Sequence, residues 1–538
     1  MEIAIIGGGP RGISILERLT AATPATPLRI HVIDAVQPGA GEIWRTDQTR
    51  ILCMNTLAGE VTLFTEPGAS VRLPVREGPT LFEWAGGAWP AASHPPRAVY
   101  GEYLHWVYTW VLEHLPDNVT VFEHTDRVVG IDGTTLQLAS GRSITASRIV
   151  YAGGWLRTED TPAPRRVAPD NPVAQDYSGI PAGADVLVRG LGMGFFDTMA
   201  LLTLDRGGSF HPHPDGSNRL RYQPSGEEPR LIVTSRRGYP YLPKPDYSGE
   251  LPPPATLANT RRVARQLRDQ PSIDFGASVL PAIMEDARLA YNPAVSATEF
   301  KQVLERVASP WDTPGTLESI TELVAEELRG DIAEAALGAA SPLKSALREI
   351  GAARKTVTLL GAGGRYTPDS MRSSFKNFMA FARLVGSGPP AFRSRELLAL
   401  VEAGIVRFAG RAESLDGSFR LRSRDLVAPV HADYLIEARL PAPDIRRTAD
   451  PVLRDLLAQG RIRPFCLRNG SPTAAIDVEV STGRVIHRDG TVDETFHVAG
   501  IPLNTLIGFT TISPIPGTDA PMLQETDRVA RSLLGWQG

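Results

Sequence analysis

An α/β fold made of two Rossmann-like units and a mainly helical inserted subdomain is what this sequence predicts, on three observations. An aliphatic strand, a glycine-rich turn, a helix and a second strand follow one another at the N-terminus. The same succession recurs in the middle of the chain. From 256 to 395 the pattern changes to helical periodicity with few strand-like runs.

The first succession opens with Glu2 to Ile6, an aliphatic run of the kind a buried parallel strand requires. Gly7-Gly8-Gly9-Pro10-Arg11-Gly12 then supplies a G-x-G-x-x-G turn, and Ile13 to Leu19 an amphipathic helix. Gly7 permits the tight turn out of the strand, Gly9 lets the backbone approach a pyrophosphate, and Gly12 lets the helix pack against the sheet. Free N–H groups at the start of the helix, around Pro10 and Arg11, favour phosphate. The next strand, Ile30 to Ile33, ends in Asp34. An acid roughly 20 residues beyond the glycines accepts hydrogen bonds from a ribose hydroxyl. Strand, glycines, helix, strand and acid in that order read as a dinucleotide site.

The second succession begins with the strand Asp185 to Arg189 and runs into Gly190-Leu191-Gly192-Met193-Gly194, then a helix through Met199 and Leu204. Its following strand, Leu231 to Thr234, ends in Ser235-Arg236-Arg237-Gly238. Two arginines stand where the first unit has Asp34. A guanidinium takes a 2′-phosphate through bidentate, charge-assisted hydrogen bonds, whereas a carboxylate repels it. Gly190, Gly192, Gly194, Arg236 and Arg237 are therefore expected to bind NADPH in preference to NADH. Tyr239, Tyr241 and Lys244 follow, either lining a nicotinamide or substrate mouth or lying in a solvated loop. Two such sites in one chain are typical of enzymes in which a nicotinamide reduces a flavin, so the N-terminal site is assigned to FAD.

The expected boundaries follow. Residues 1–160 form the first part of the FAD-binding domain, 161–255 the NADPH-binding domain, 256–395 a helical substrate-binding subdomain and 396–538 the second part of the FAD-binding domain. Helical periodicity is read at Arg261–Arg268, Ala297–Val307, Leu317–Leu328, Pro342–Ile350 and Ser373–Leu384. Arg365, Tyr366, Arg372 and Lys376 lie beside Gly361-Ala362-Gly363-Gly364. Arg372 and Lys376 fall one turn apart on an expected helix, as a clamp on a substrate carboxylate or as plain surface charge. Strands are read at Arg148 to Tyr151, at Asp433 to Ala438 and, closing the FAD-binding domain, at Phe496 to Val498, with a final helix over Leu523 to Leu534.

Composition excludes several classes. With 56 Lys+Arg against 60 Asp+Glu the formal net charge is −4, so no basic field points to nucleic acid or to a membrane surface. No apolar run approaches the ~20 residues of a membrane helix, and the first residues open directly into a strand without a leader pattern. The cytoplasm is the expected compartment, and a homo-oligomer stays open. The two cysteines, Cys53 and Cys466, make no CxxC, so neither a zinc knuckle nor a dithiol centre is expected. No metal-ligand spacing of histidines is present, and no metal is expected.

The residues after Asp34 carry a resemblance. Gly39-Ala40-Gly41-Glu42-Ile43-Trp44-Arg45, Met54-Asn55-Thr56, Leu63-Phe64-Thr65-Glu66-Pro67, Phe82-Glu83-Trp84 and Arg97-x-x-x-Gly101-x-Tyr103-Leu104-x-Trp106 follow in order. This succession resembles the NADPH-dependent FAD monooxygenases of the N-hydroxylating group, which act on ornithine, lysine or aspartate, and a looser bacterial family of FAD-NAD(P)-binding proteins. The resemblance implies that Trp44 and Met54 pack on the flavin and that Asn55 is a catalytic hydrogen-bonding residue, where the family usually has the longer Gln. It implies that Leu506 and Ile507, in Ile501-Pro502-Leu503-Asn504-Thr505-Leu506-Ile507-Gly508, close the FAD site. It also implies C4a-hydroperoxyflavin chemistry, in which NADPH reduces FAD, reduced flavin binds O2 and a small amine or amino acid takes one oxygen atom on nitrogen. The residues alone leave two other readings open: an NADPH oxidoreductase or oxidase that does not oxygenate its substrate, and a non-catalytic flavin-binding redox sensor.

Overall fold

The computed structural model describes residues 1–161, 163–215, 217–308 and 314–536. Two compact units share the chain. One comprises Met1–Glu159, Gly361–Arg365 and the chain from Ala442 onward; the other comprises Asp160–Leu360 and Tyr366–Pro441.

The first unit is laid down by strands β1 (Glu2–Ile6), β2 (Leu28–Asp34), β3 (Val119–Thr125) and β4 (Arg148–Tyr151). β1 runs parallel between β2 and β4, and β2 pairs in parallel with β3. Ile3, Ala4 and Ile5 are completely buried. A central strand covered on both faces has to be apolar throughout, which explains its unbroken aliphatic run. Helix α1 (Pro10–Ala21) starts with Gly9 at its cap and proline in its first turn, where the missing N–H costs no intrahelical bond. Helix α2 (Arg97–Glu113) packs beside it.

The second unit contains β5 (Arg166–Val167), β6 (Asp185–Arg189), β7 (Arg230–Ser235), β8 (Val406–Leu415) and β9 (Tyr434–Glu437). They run parallel in the order β8-β7-β6-β9-β5. Helix α3 (Met193–Thr203) follows β6. Between β7 and β8 lie helices at Ala258–Gln266, Leu280–Tyr291, Ala297–Ala308 and Leu317–Ala336, then α4 (Pro342–Leu360), α5 (Ser374–Gly386) and Ala391–Glu402. The five helical periodicities read from sequence fall on five of these. The helices do not build a core of their own: Phe275, Leu328, Ile350 and Val357 belong to one apolar cluster with Val186, Val188, Phe195 and Leu231 of the sheet layer.

One assignment is corrected. The strands between 406 and 437, expected within the returning FAD-binding segment, complete the second sheet instead: β8 pairs with β7 and β9 with β6. β8 mixes apolar residues with Arg407, Arg411 and Glu413, and β9 is a four-residue run, so neither pattern names the sheet it joins. The first unit resumes with β10 (Val492–Val498), parallel to β4, then the short α6 (Asn504–Ile507) and α7 (Pro521–Leu534). α7 packs on α1, with Ser14 Oγ 2.8 Å from Thr526 Oγ1. The parallel part of the first sheet is thus ordered β3-β2-β1-β4-β10, matching β8-β7-β6-β9-β5. β1 and β6 hold equivalent central places, and each ends in a glycine turn.

Candidate active site

At the first turn, Gly7 has φ +99°, and a Cβ on it would lie 2.6 Å from the Ala152 carbonyl oxygen beyond the end of β4. Only glycine meets both conditions. Gly12 is equally constrained, since a Cβ there would fall 1.9 Å from the Gly7 carbonyl oxygen. Gly9 differs: apart from its two chain neighbours, none of the described residues has an atom within 4 Å of the place its Cβ would take. The backbone of the α1 start is therefore open at the point where N–H groups and the helix dipole favour an anion.

Asp34 ties the end of β2 to this turn. Its Oδ2 accepts from the Gly8 N–H at 2.7 Å and its Oδ1 from the Val36 N–H at 2.9 Å. Burial holds its carboxyl above the usual carboxylate range, although the N–H bonds from Val36 and Gly8 pull the other way. With the Gln37 N–H as a third donor, the carboxylate still has acceptor capacity for a sugar hydroxyl. Arg11 turns away from the opening: Nη1 pairs with Glu525 at 2.5 Å and Nη2 donates to the Thr510 carbonyl at 2.7 Å. Glu525 also accepts from the Gly500 N–H at 2.7 Å. This carboxylate, which fastens the C-terminal segment to the glycine turn, was not found in the sequence, because nothing local links a residue of the last helix to the first motif.

Between β2 and α2 the chain carries the residues expected beside a flavin. Trp44 meets Tyr100 edge-on at 4.7 Å, and its carbonyl is approached so closely that Gly101 has no room for a Cβ. Met54 is buried, its N–H donating to the Pro95 carbonyl at 2.9 Å and its own carbonyl oxygen 3.0 Å from His94 Nδ1. Asn55, next in the chain, is half-buried. Burial pushes the Tyr100 phenol up to about 12, so it stays neutral, 3.2 Å from Ser513 Oγ. In α6, Leu506 is buried and Ile507 half-buried. Asn504 Oδ1 shapes the following loop by accepting from the Thr510 hydroxyl at 2.9 Å.

The second turn repeats the first. Gly190 has φ +130° and no room for a Cβ, which would lie 2.5 Å from the Ala438 carbonyl oxygen at the end of β9. Its N–H donates to the Thr234 carbonyl at 2.9 Å, as Gly7 donates to Ile33 at 2.8 Å. Gly192 caps α3, and Gly194 lies under the same Ala438 carbonyl, 3.1 Å from where its Cβ would be. Ser235 takes the local place of Asp34: its Oγ accepts from the N–H groups of Arg237 at 3.2 Å and Gly238 at 2.9 Å. That leaves both arginine side chains for other work, Arg236 exposed and Arg237 half-buried. At the end of β9, Glu437 is fully buried and binds Arg189 and Arg439. Burial opposes its charge, but the two guanidiniums hold it below the usual range.

Of the residues following the arginines, Tyr241 lies on the turn, its N–H donating to the Leu191 carbonyl at 3.0 Å and its ring against Gly192. Tyr239 is buried and donates to Asp331 at 2.6 Å, while the Lys244 N–H is bonded to the Pro389 carbonyl. The four substrate candidates differ in their surroundings. Arg365 closes the short 361–365 excursion into the first unit, and Tyr366 begins the return to the second. Tyr366 is buried, its hydroxyl donating to the Val357 carbonyl at 2.6 Å. Arg372 is the last residue of the helix Pro368–Arg372 and pairs with Asp369 at 2.6 Å. A break at Ser373, with ψ −93°, puts exposed Lys376 on the separate helix α5, so the expected one-turn spacing is lost.

Comparison with known proteins adds to this geometry. A family model described as FAD-NAD(P)-binding matches residues 4–156. Across 99% of its length the chain is 34% identical to nitrosuccinic acid synthase npaA of Aspergillus oryzae, spanning 92% of that protein. It is 32% identical, again over 99% of its length, to 94% of a nitrosuccinate-forming L-aspartate N-monooxygenase of Streptomyces cremeus. Among solved structures, the ornithine N-hydroxylase of Kutzneria sp. 744 aligns over 99% of this chain and 98% of its own, at 13% identity and a TM-score of 0.41.

Proposed function

Because this chain belongs to the family of nitrosuccinate-forming L-aspartate N-monooxygenases, we propose that it oxidises the amino nitrogen of L-aspartate with NADPH and dioxygen, using FAD. The observation that carries the cofactor reading is the repeated cradle, one glycine geometry at two equivalent strand ends, with an acid beside the first and two arginines beside the second. Identity along nearly the whole length supports the substrate.

The residues at the first turn fit FAD. The open backbone at Gly9 and the start of α1 at Pro10 would take the pyrophosphate, and Asp34 the ribose. Trp44, Met54, Asn55, Leu506 and Ile507 would border the flavin ring. Gly190, Gly192, Gly194, Arg236 and Arg237 would hold NADPH. When bound, these cofactors supply the electrons and activate dioxygen. Each oxygen atom placed on nitrogen consumes one NADPH, one proton and one dioxygen, whose second atom leaves as water. Three such oxidations, with a further water lost on dehydration, take the amine to the nitro group. The protein's part is to bind, orient and keep water out, and to hold the amino nitrogen unprotonated so that its lone pair is available. Neutral Tyr100 and the Trp44 ring contribute an apolar wall to that task. A cytoplasmic location, where NADPH is regenerated, suits this chemistry. Among the described residues no helix is long and apolar enough to cross a membrane.

The test is NADPH oxidation by the flavin-loaded protein in air, with L-aspartate, L-ornithine or no amino acid, followed by mass spectrometry of the products. L-Aspartate alone should accelerate oxidation and yield nitrosuccinate. Acceleration by ornithine, or by neither, would contradict the proposal.

A further inference from the structure

Most arginines near the two turns have a carboxylate partner: Arg11 has Glu525, while Arg189 and Arg439 share Glu437. Four arginines around the second turn do not. Among the described residues Arg236, Arg237, Arg354 and Arg383 take part in no ion pair, and backbone contacts lead from the second glycine turn to all of them. Tyr241 rests on Gly192, with its N–H on the Leu191 carbonyl. Arg236 and Arg237 precede it by a few residues. The next residue, Leu242, donates to the Leu384 carbonyl at 3.1 Å, which places the end of α5 and its Arg383 beside Tyr241. Arg354 of α4 reaches the same end of α5, donating to Ser387 Oγ at 2.6 Å and to the Gly386 carbonyl at 3.2 Å.

We propose that Arg354 and Arg383, carried by the helices between β7 and β8, form with Arg236, Arg237 and the Tyr241 hydroxyl a phosphate site for NADPH at the second glycine turn. The inference rests on the assignment of that turn to NADPH. It gives part of the helical insert a task in holding the coenzyme. Electrostatics agree with the geometry. Burial weakens the Arg237 and Arg354 guanidiniums; each senses the Tyr241 phenol, and each has a like charge nearby, Arg236 and Arg383 respectively. Like charges gathered without a carboxylate are relieved by a multiply charged anion. A 2′-phosphate or a pyrophosphate supplies that charge, and the two are separable by experiment.

Arg354 also braces the α4–α5 crossing, where Gly351 and Gly386 touch, so its removal threatens the fold. Arg383 is exposed and is the better probe. The affinities of NADP+ and NAD+ for the flavin-loaded protein are measured by calorimetry for wild type, Arg383→Glu and Arg383→Lys, with melting temperature as the control for folding. A loss of roughly tenfold for NADP+ in Arg383→Glu, with rescue in Arg383→Lys, is expected. If NAD+ is spared, the 2′-phosphate is the ligand; if it weakens equally, the pyrophosphate is. Unchanged affinity for both in a folded Arg383→Glu protein overturns the proposal alone, including where only the KM for L-aspartate rises. A wild-type protein that binds neither nucleotide overturns the NADPH assignment as well.

Discussion

Gly9 and Gly12 sit three residues apart in one motif and answer to different constraints. At Gly12 a methyl group would collide with the Gly7 carbonyl, whereas at Gly9 it would meet nothing within 4 Å. Gly12 is therefore required by packing, and Gly9 by what approaches from outside. Gly12→Ala should lower stability by a few kcal/mol, on the order expected for forced overpacking. Gly9→Val should fold with an unchanged melting temperature in the flavin-free state and yet purify without FAD. Absorbance of the bound flavin and thermal unfolding of the stripped proteins check both; a Gly9→Val protein fully loaded with flavin would contradict the cradle. The two glycine turns, and Asp34 beside the first, were legible in the sequence because their spacing is local. Glu525 was not: its role comes from a contact with Arg11 across almost the whole chain.

At the scale of elements, helices were easier to read than strand partners. An amphipathic stripe is written into consecutive residues, so the insert's helices appear where their periodicity lies. The partner of a strand is not written in its own residues, and β8 and β9 were accordingly misplaced. The Ser373 break was hidden for a related reason: Pro368–Arg372 and α5 abut without glycine or proline between them. β10 carries a more specific device. His497 is completely buried, with Nε2 2.9 Å from Ser532 Oγ of α7 and Nδ1 3.3 Å from the Ile149 carbonyl of β4. Burial pushes its pKa down to about 4, against a smaller opposing effect of the Ile149 carbonyl. The unfolded chain takes up the proton first as the solution is acidified. Stability should therefore fall from about pH 6.5 down to about pH 4 and level off below, by at most ~3 kcal/mol from this one group. Urea unfolding at several pH values would show it, and His497→Gln should flatten the slope in that window. The same slope in both proteins would mean that other groups carry the acid sensitivity.

For the whole molecule, the two-site plan was visible in the sequence because each site is a complete local succession of strand, turn, helix and strand. The substrate came only through resemblance, which named aspartate beside ornithine and lysine, and not from any reading of the residues themselves. Recognition of a small amino acid rests on a few side chains with no fixed spacing, so no local pattern near 365–376 identifies it. What joins the plan to a reaction is identity to aspartate N-monooxygenases along nearly the entire chain. The central claim is that oxygen from dioxygen reaches the nitrogen of L-aspartate. The most direct measurement is a reaction under isotopically heavy dioxygen with NADPH and L-aspartate, followed by mass spectrometry of the product. The account predicts nitrosuccinate whose nitro oxygens both carry the heavy label. Unaltered aspartate, with the heavy label found only in hydrogen peroxide, would contradict it.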